Sequence, residues 1–85
     1  MEITITYFTS EGFQRAQTLA PYAVTDVARG ESYFYENKWN IKTSVDFKNS
    51  NVIVKNIPND LPDSILKKLV NYLSVGTVAV KYSGN

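Results

Sequence analysis

The ten residues KWNIKTSVDF, numbers 38–47, carry the clearest structural signal in the chain. Apolar or β-branched side chains alternate strictly with charged or polar ones along this stretch. A period of two predicts a β-strand with one buried and one solvated face, which is typical of an antiparallel sheet. The side chains expected to share the buried face are Trp39, Ile41, Thr43, Val45 and Phe47.

Strand patterns recur on both sides of this stretch, and helical patterns separate them. The order β-α-β-β-β-α-β, with an apolar stripe on each helical region, predicts an α+β two-layer sandwich. Its sheet is antiparallel-rich, has four to five strands and carries the helices on one face. If residues 33–35 form a loop, a related ferredoxin-like βαββαβ arrangement is expected. The predicted strands are residues 2–8, 33–35, 39–47, 52–57 and 77–82, and the predicted helical regions are 10–29 and 60–76.

Residues of characteristic type mark the expected helix ends. Thr9 or Ser10 can cap the first helical region. Pro21 is expected to divide that region, because proline disfavours helical geometry in the preceding residue and suits the first turn of a new helix. Asp60 is the expected N-cap of the last helix, with Pro62 in its first turn.

The composition argues against several kinds of chemistry. The 85 residues include no cysteine and no histidine. Disulfides, thiolate nucleophiles, imidazole bases and the commonest zinc ligands are therefore missing. Helix capping accounts for the neighbouring carboxylates Asp60 and Asp63, and the four glycines are too scattered to form a phosphate-binding loop. We expect no enzymatic activity, no metal site and no cofactor.

Length and hydropathy suggest the size and location of the folded unit. A chain of 85 residues that is 44% hydrophobic and 20% charged predicts one folded domain over residues 1–85. The first residues, MEITITYF, show neither the basic region nor the apolar run of a signal peptide. No apolar stretch is long enough to cross a bilayer. Together with the lack of cysteine, these features favour a cytoplasmic protein.

Lysines lie on the two paired strands of the predicted hairpin and in its turn, and they form a candidate nucleic-acid-binding row. Lysines beside exposed tyrosines, here Tyr33 and Tyr35, can bind single-stranded nucleic acid by backbone attraction and base stacking. The alternative is a solvated sheet face whose lysines discourage edge pairing. The alternation leaves open which face of the sheet Lys55 occupies. The row consists of Lys38, Lys42, Lys48 and Lys55.

The stretch VIVKNI, residues 52–57, resembles an early strand of the RNA-recognition motif, which ends in Asn-Leu or Asn-Ile. RGESYF, residues 29–34, resembles the start of that family's second signature. The resemblance implies RNA binding by aromatic stacking on a sheet face. However, Ile53 and Glu31 stand where that family has aromatic residues, and the two segments occur in the reverse order. The chain is therefore not assigned to the family.

Aromatic residues concentrate in YFYENKW, residues 33–39. A strand cannot bury all of them, so some are expected at the surface. Exposed tyrosine and tryptophan near charges are typical of protein-interface hot spots. Tyr33, Tyr35 and Trp39 are therefore the candidate protein-binding residues, and ordinary core packing explains them equally well.

Three functional hypotheses follow. The first is a small non-enzymatic binding protein that regulates or inhibits a protein or protein–RNA complex, of the kind that phages and mobile elements encode, or an antitoxin-like protein. The second is a module that binds RNA or single-stranded nucleic acid with the lysine–tyrosine face. The third is a self-associating structural or assembly subunit, such as a homodimer, joined through an exposed sheet edge.

Overall fold

A computed structural model describes residues 1–30 and 40–84 of the chain. The predicted α+β two-layer fold is confirmed, because an antiparallel four-stranded sheet packs against a layer of helices. The predicted strand 33–35, Lys38 and Trp39 lie outside the described residues. The elements are β1 (Glu2–Tyr7), α1 (Ser10–Leu19), a 3-10 turn (Ala20–Tyr22), α2 (Ala23–Gly30), β2 (Lys42–Asp46), β3 (Asn51–Lys55), α3 (Asp63–Leu73) and β4 (Val78–Ser83).

The strands lie in the order β2-β3-β1-β4, and every neighbouring pair is antiparallel. Each helical region therefore connects two strands that run parallel to each other and have one antiparallel strand between them. Among the described elements this is the ferredoxin-like arrangement. The buried side chains of the described strands all come from the central strands β1 and β3. They are Ile3, Ile5, Tyr7, Val52 and Val54. These residues face the helices, and we call the opposite side of the sheet the outer face.

A β-bulge at Asn56 reverses the alternation at the end of β3. Ile3 pairs with Val54, yet Met1 exchanges two backbone hydrogen bonds with Ile57, at 3.0 and 3.1 Å. Met1 and Glu2 thus oppose three residues, 55–57, and the left-handed φ of Asn56, 65°, accommodates the extra residue. Ile57 is consequently buried, whereas Lys55 stays on the outer face. The bulge settles which face Lys55 occupies.

The helical region begins and breaks where the sequence predicts. The Thr9 hydroxyl caps α1 by accepting a hydrogen bond from the Gly12 amide at 3.0 Å. Pro21 interrupts the region, and a 3-10 turn separates α1 from α2. The prediction that Pro21 disfavours helical geometry in the preceding residue is wrong, because Ala20 keeps right-handed helical dihedrals and the chain tightens rather than unwinds at the proline. The Thr43 hydroxyl of β2 donates to the Ala20 carbonyl at 2.8 Å and ties this turn to the sheet.

The predicted N-cap of α3 at Asp60 is wrong. The helix begins at Asp63, Pro62 occupies the N-cap position, and no side chain caps it. The Pro62 carbonyl accepts hydrogen bonds from the amides of Ile65 and Leu66 at 3.0 and 3.1 Å. Proline suits this place because it has no amide hydrogen of its own to satisfy. Asp63 lies in the first turn, where its charge favours the helix dipole.

The helical layer combines small and large buried side chains. Alanines on α1, the 3-10 turn and α2 let the backbone approach the sheet closely, while α3 fills the rest of the core with branched side chains. Burial of these side chains is the main source of stability for a chain of this size. The buried residues of the layer are Ala16, Ala20, Ala23, Val27, Ile65, Leu69 and Leu73.

Candidate functional site

Four aromatic residues gather where β1 ends and α1 begins, and we call this region the aromatic end. Its members are Tyr7, Phe8, Phe13 and Phe47. The ring centroids of Tyr7 and Phe13 are 6.0 Å apart with the planes tilted by 37°. Phe13 and Phe47 are also 6.0 Å apart, edge to face at 73°. Such ring pairs add to the free energy of area burial.

The prediction that Phe47 lies on the buried face is wrong. Ile41 is buried and Thr43 and Val45 are half-buried, as the alternation predicts. However, β2 ends at Asp46, and Phe47 lies in the turn with 69% of its surface exposed. Since the chain no longer follows strand geometry there, strand parity cannot place this side chain.

The turn that carries Phe47 is closed by its own polar side chains. The Asp46 carboxylate accepts hydrogen bonds from the side chain and the backbone amide of Asn49, at 2.9 and 3.3 Å. The hydrogen bond from the Asn49 side chain is the main reason that the pKa of Asp46 lies below its ordinary value. Ser50 adopts a left-handed φ of 55°, and its carbonyl accepts from the Tyr7 amide at 2.9 Å. The turn is thereby fixed against the end of β1.

The other side of the aromatic end is fixed by Gly12 in α1. A Cβ atom at this position would lie 2.9 Å from both the Thr9 hydroxyl and the Val75 carbonyl. Glycine therefore allows the first turn of α1 to approach the backbone before β4. Phe13, the next residue, is held half-buried against Tyr7 by this close contact.

Tyr7 anchors the aromatic end to the core. Only 4% of the residue is exposed. Its hydroxyl donates a 2.5 Å hydrogen bond to the Leu73 carbonyl at the end of α3. Burial raises the pKa of Tyr7 to about 12.

A cleft of about 300 Å³ opens beside Tyr7, Phe8 and Phe13 and along the first turns of α1. Phe8 borders it and is 62% exposed. None of the lining side chains carries a charge, and most offer a hydroxyl or an amide. Such a cleft suits an uncharged group that combines an apolar body with hydrogen-bonding edges. The lining residues are Tyr7, Phe8, Thr9, Ser10, Phe13, Gln14, Gln17 and Ser50.

The outer face of the sheet is a second candidate surface. Lys42 and Lys55 lie directly opposite each other on β2 and β3. Like charges in that arrangement are unfavourable for folding. Lys81 of β4 lies two strands from Lys55, and among the described residues none of these three lysines forms an ion pair. The described strand residues of the face include no aromatic side chain: they are Glu2, Thr4, Thr6, Lys42, Ser44, Asp46, Asn51, Ile53, Lys55, Ala79, Lys81 and Ser83.

The predicted lysine row is divided between these two surfaces. Lys42 and Lys55 share the outer face, whereas Lys48 lies in the exposed turn next to Phe47 at the aromatic end. Lys38 lies outside the described residues. The predicted protein-binding residues Tyr33, Tyr35 and Trp39 also lie outside them, so their role stays a prediction.

Sequence reasoning missed Phe8 and Phe47 as surface residues. Each directly follows the last residue of a strand and precedes a polar segment, TSE after Phe8 and KNS after Phe47. Strand alternation does not determine the burial of a phenylalanine that stands between a strand and a polar turn. This position in the sequence is the signal that could have identified both residues.

Within residues 1–30 and 40–84, no group of three or more acidic, histidine or cysteine residues is placed to hold a metal ion. Asp26 of α2 accepts a 2.6 Å hydrogen bond from the Tyr72 hydroxyl of α3 and so joins the two helices. No described helix has the length and apolar character needed to cross a membrane.

Comparison of the chain with protein-family models, with curated proteins and with solved structures finds no match.

Proposed function

We propose that this chain is a non-enzymatic binding protein that regulates or inhibits a protein partner, and that the partner docks on the aromatic end. The observation that carries the proposal is the exposure of Phe8 and Phe47, 62% and 69%, beside a cleft with fixed walls. Two phenylalanine rings in water are unfavourable, and burying them in an interface would recover that free energy. The cleft, which Phe8 borders, supplies a recess for a partner side chain, and Phe47 packs on Phe13 of its lining.

The uncharged lining specifies the chemistry of the partner. Hydroxyl and amide groups from Ser10, Gln14 and Gln17 can pair with a backbone segment or with neutral polar side chains. The ring of Phe13 in the lining favours an apolar side chain. Binding at such a site should depend only weakly on salt, because no ion pair forms at its centre.

The test begins with affinity capture from lysate with and without nuclease, followed by identification and purification of the protein captured in both arms. The dissociation constant is then compared for the unchanged chain, Phe47→Ala and Tyr22→Ala. Tyr22 is the matched control, because it is 60% exposed but lies in the 3-10 turn away from the cleft.

Phe47→Ala should raise the dissociation constant by about tenfold or more, as is typical for an interface hot spot. Tyr22→Ala should leave it within about twofold. Equal effects of the two substitutions would contradict the proposed site. Loss of all capture after nuclease treatment would contradict a protein partner.

The direct opposition of Lys42 and Lys55 supports a second candidate function, binding of RNA or single-stranded DNA on the outer face. Two neighbouring ammonium groups can contact successive phosphates of a single strand. The lack of an aromatic side chain on the described strands of this face removes base stacking, so the affinity would come from charge alone.

Salt dependence tests this alternative. Binding of a fluorescent single-stranded oligonucleotide should weaken steeply with salt, and Lys42→Gln should lower the slope by about one phosphate contact. Lys67→Gln, at an exposed position on α3, is the matched control and should leave the slope unchanged. Equal slopes for both variants would refute binding on the outer face.

A further inference from the structure

β4 forms one edge of the sheet and has no partner on its far side among the described residues. Only β1 pairs with it, along all six residues from Val78 to Ser83. A strand edge of this length presents a row of unpaired backbone donors and acceptors. Its side chains toward the helices are also incompletely covered, since Val78 and Val80 are half-buried and Tyr82 is 52% exposed.

The hydrogen-bond pattern shows which backbone groups point outward. The Phe8 amide donates to the Thr77 carbonyl at 3.1 Å, so the backbone groups of Thr77 face β1. In an antiparallel pair these orientations alternate from residue to residue. Ala79 and Lys81 therefore also bond to β1, and Val78, Val80 and Tyr82 direct their N–H and C=O groups away from the sheet.

We propose that two copies of this chain associate through β4, antiparallel about a two-fold axis at Val80. In this register Val80 pairs with Val80 of the second copy, and Val78 pairs with Tyr82. The paired positions are those whose backbone groups point outward, so the contact can form about six hydrogen bonds. The two four-stranded sheets become one continuous sheet of eight strands.

Side chains on both faces fit this register. On the helix side, the exposed ring of Tyr82 packs on Val78 of the second copy, and the two Val80 side chains meet at the axis. On the outer face, Lys81 lies opposite Ala79 rather than opposite the other Lys81. A lysine at a sheet edge usually discourages pairing. Here the register avoids direct opposition of like charges, and the alanine leaves room for the lysine stem.

This self-complementarity selects a second copy as the occupant of the edge. An unrelated strand could satisfy the backbone groups, but it would need its own apolar residues opposite Tyr82 and a small residue opposite Lys81. The interface is small, so the dimer is expected to be weak and reversible.

Sedimentation velocity of the full chain, from about 10 μM to about 1 mM, brackets the affinity expected for such an interface. The mass should rise with concentration from 9.6 kDa toward twice that value. Val80→Pro removes an outward N–H that β1 does not use, so it should abolish the dimer and retain the native circular dichroism spectrum. Val80→Thr keeps the N–H and the β-branched shape and should still dimerise.

Two substitutions of opposite charge at the exposed Ala79 test the register. Ala79→Lys places an ammonium group opposite Lys81 of the second copy, twice per dimer, whereas Ala79→Glu places a carboxylate there. The dimer dissociation constant should be at least about fivefold higher for Ala79→Lys than for Ala79→Glu.

Amide hydrogen exchange gives an independent readout within one chain. Protection of the Val78, Val80 and Tyr82 amides should increase with protein concentration, while the Ala79 and Lys81 amides stay protected throughout. A monomeric mass across the whole range would overturn the proposal. So would a dimer that persists in Val80→Pro, or one that responds equally to both substitutions at Ala79.

Discussion

Replacing Tyr7 by phenylalanine removes one buried hydroxyl and keeps the ring that packs on Phe13. The lost interaction is the hydrogen bond to the Leu73 carbonyl. That carbonyl also accepts from the Val75 amide at 3.0 Å, so it is not left without a donor. We therefore expect a loss in the free energy of unfolding of about 1 kcal/mol near neutral pH, the value of a net hydrogen bond rather than of an orphaned buried group.

The difference between the two proteins should shrink at alkaline pH. The pKa of Tyr7 is raised to about 12 in the folded chain, whereas in the unfolded chain it is close to about 10. A raised pKa means that the stabilisation is complete below the unfolded pKa and is lost as the pH rises toward the folded one. At about pH 11 this loss amounts to roughly 1.4 kcal/mol. Because Tyr7→Phe has no hydroxyl to ionise, the two proteins should be equally stable near that pH.

Urea titrations of both proteins at about pH 7 and about pH 11 measure this effect. Other groups titrate over this interval, but they are shared by both proteins and cancel in the difference. Tyr22→Phe is the matched control: its ring is 60% exposed, and the substitution should change the free energy of unfolding by less than about 0.5 kcal/mol. A difference between Tyr7→Phe and the parent that is constant with pH would refute the assignment of a buried, neutral hydroxyl.

Substitutions at three further positions address the backbone and the turn. Gly12→Ala should lower the free energy of unfolding by about 1–3 kcal/mol, because the Cβ would press on the Val75 carbonyl, and thermal melts measure this. Asn56→Gly should keep or raise the free energy of unfolding. Asn56→Ala should lower it by about 1 kcal/mol, because alanine resists the left-handed φ. Equal urea midpoints for the two variants would argue against the bulge. Asp46→Ala should lower the urea midpoint near neutral pH, and the gap should close as the pH falls below about 4, because a depressed carboxylate pKa gives stability that is lost on protonation.

The elements of the fold that depend on local chemistry were predictable. Thr9 has the side chain that an N-cap requires, and Pro21 divides the helical region for a reason intrinsic to its ring. The alternation that runs into β2 also placed Ile41 inside and Lys42 outside. Each of these features is decided within a few residues of the chain.

Features decided by tertiary contacts were not predictable in the same way. The bulge at Asn56 arises because Met1 pairs with Ile57, and nothing in the local pattern fixes that register. Asp60 has a good capping side chain, but Pro62 occupies the N-cap position and the helix starts later. The outward position of Phe47 depends on where β2 stops, which the run of alternating residues does not reveal. The candidate site was missed for this last reason.

The aromatic end and the β4 edge can act together, because they lie on different parts of the sheet. The aromatic end is close to the first residue of β4, since Val78 pairs with Tyr7. Across an antiparallel two-fold contact, the two aromatic ends would therefore lie at opposite ends of the paired β4 strands, which are six residues, or about 20 Å, long. If the proposed dimer leaves both aromatic ends open, it presents two candidate partner-binding sites at opposite ends of the paired strands. A partner with repeated copies of its docking surface would then be bound more tightly than by the monomer, without any new contact, through effective concentration.

Val80→Pro should remove this gain and leave the affinity for a single, monovalent copy of the partner unchanged. A matching loss of monovalent affinity would show that the two surfaces are not independent.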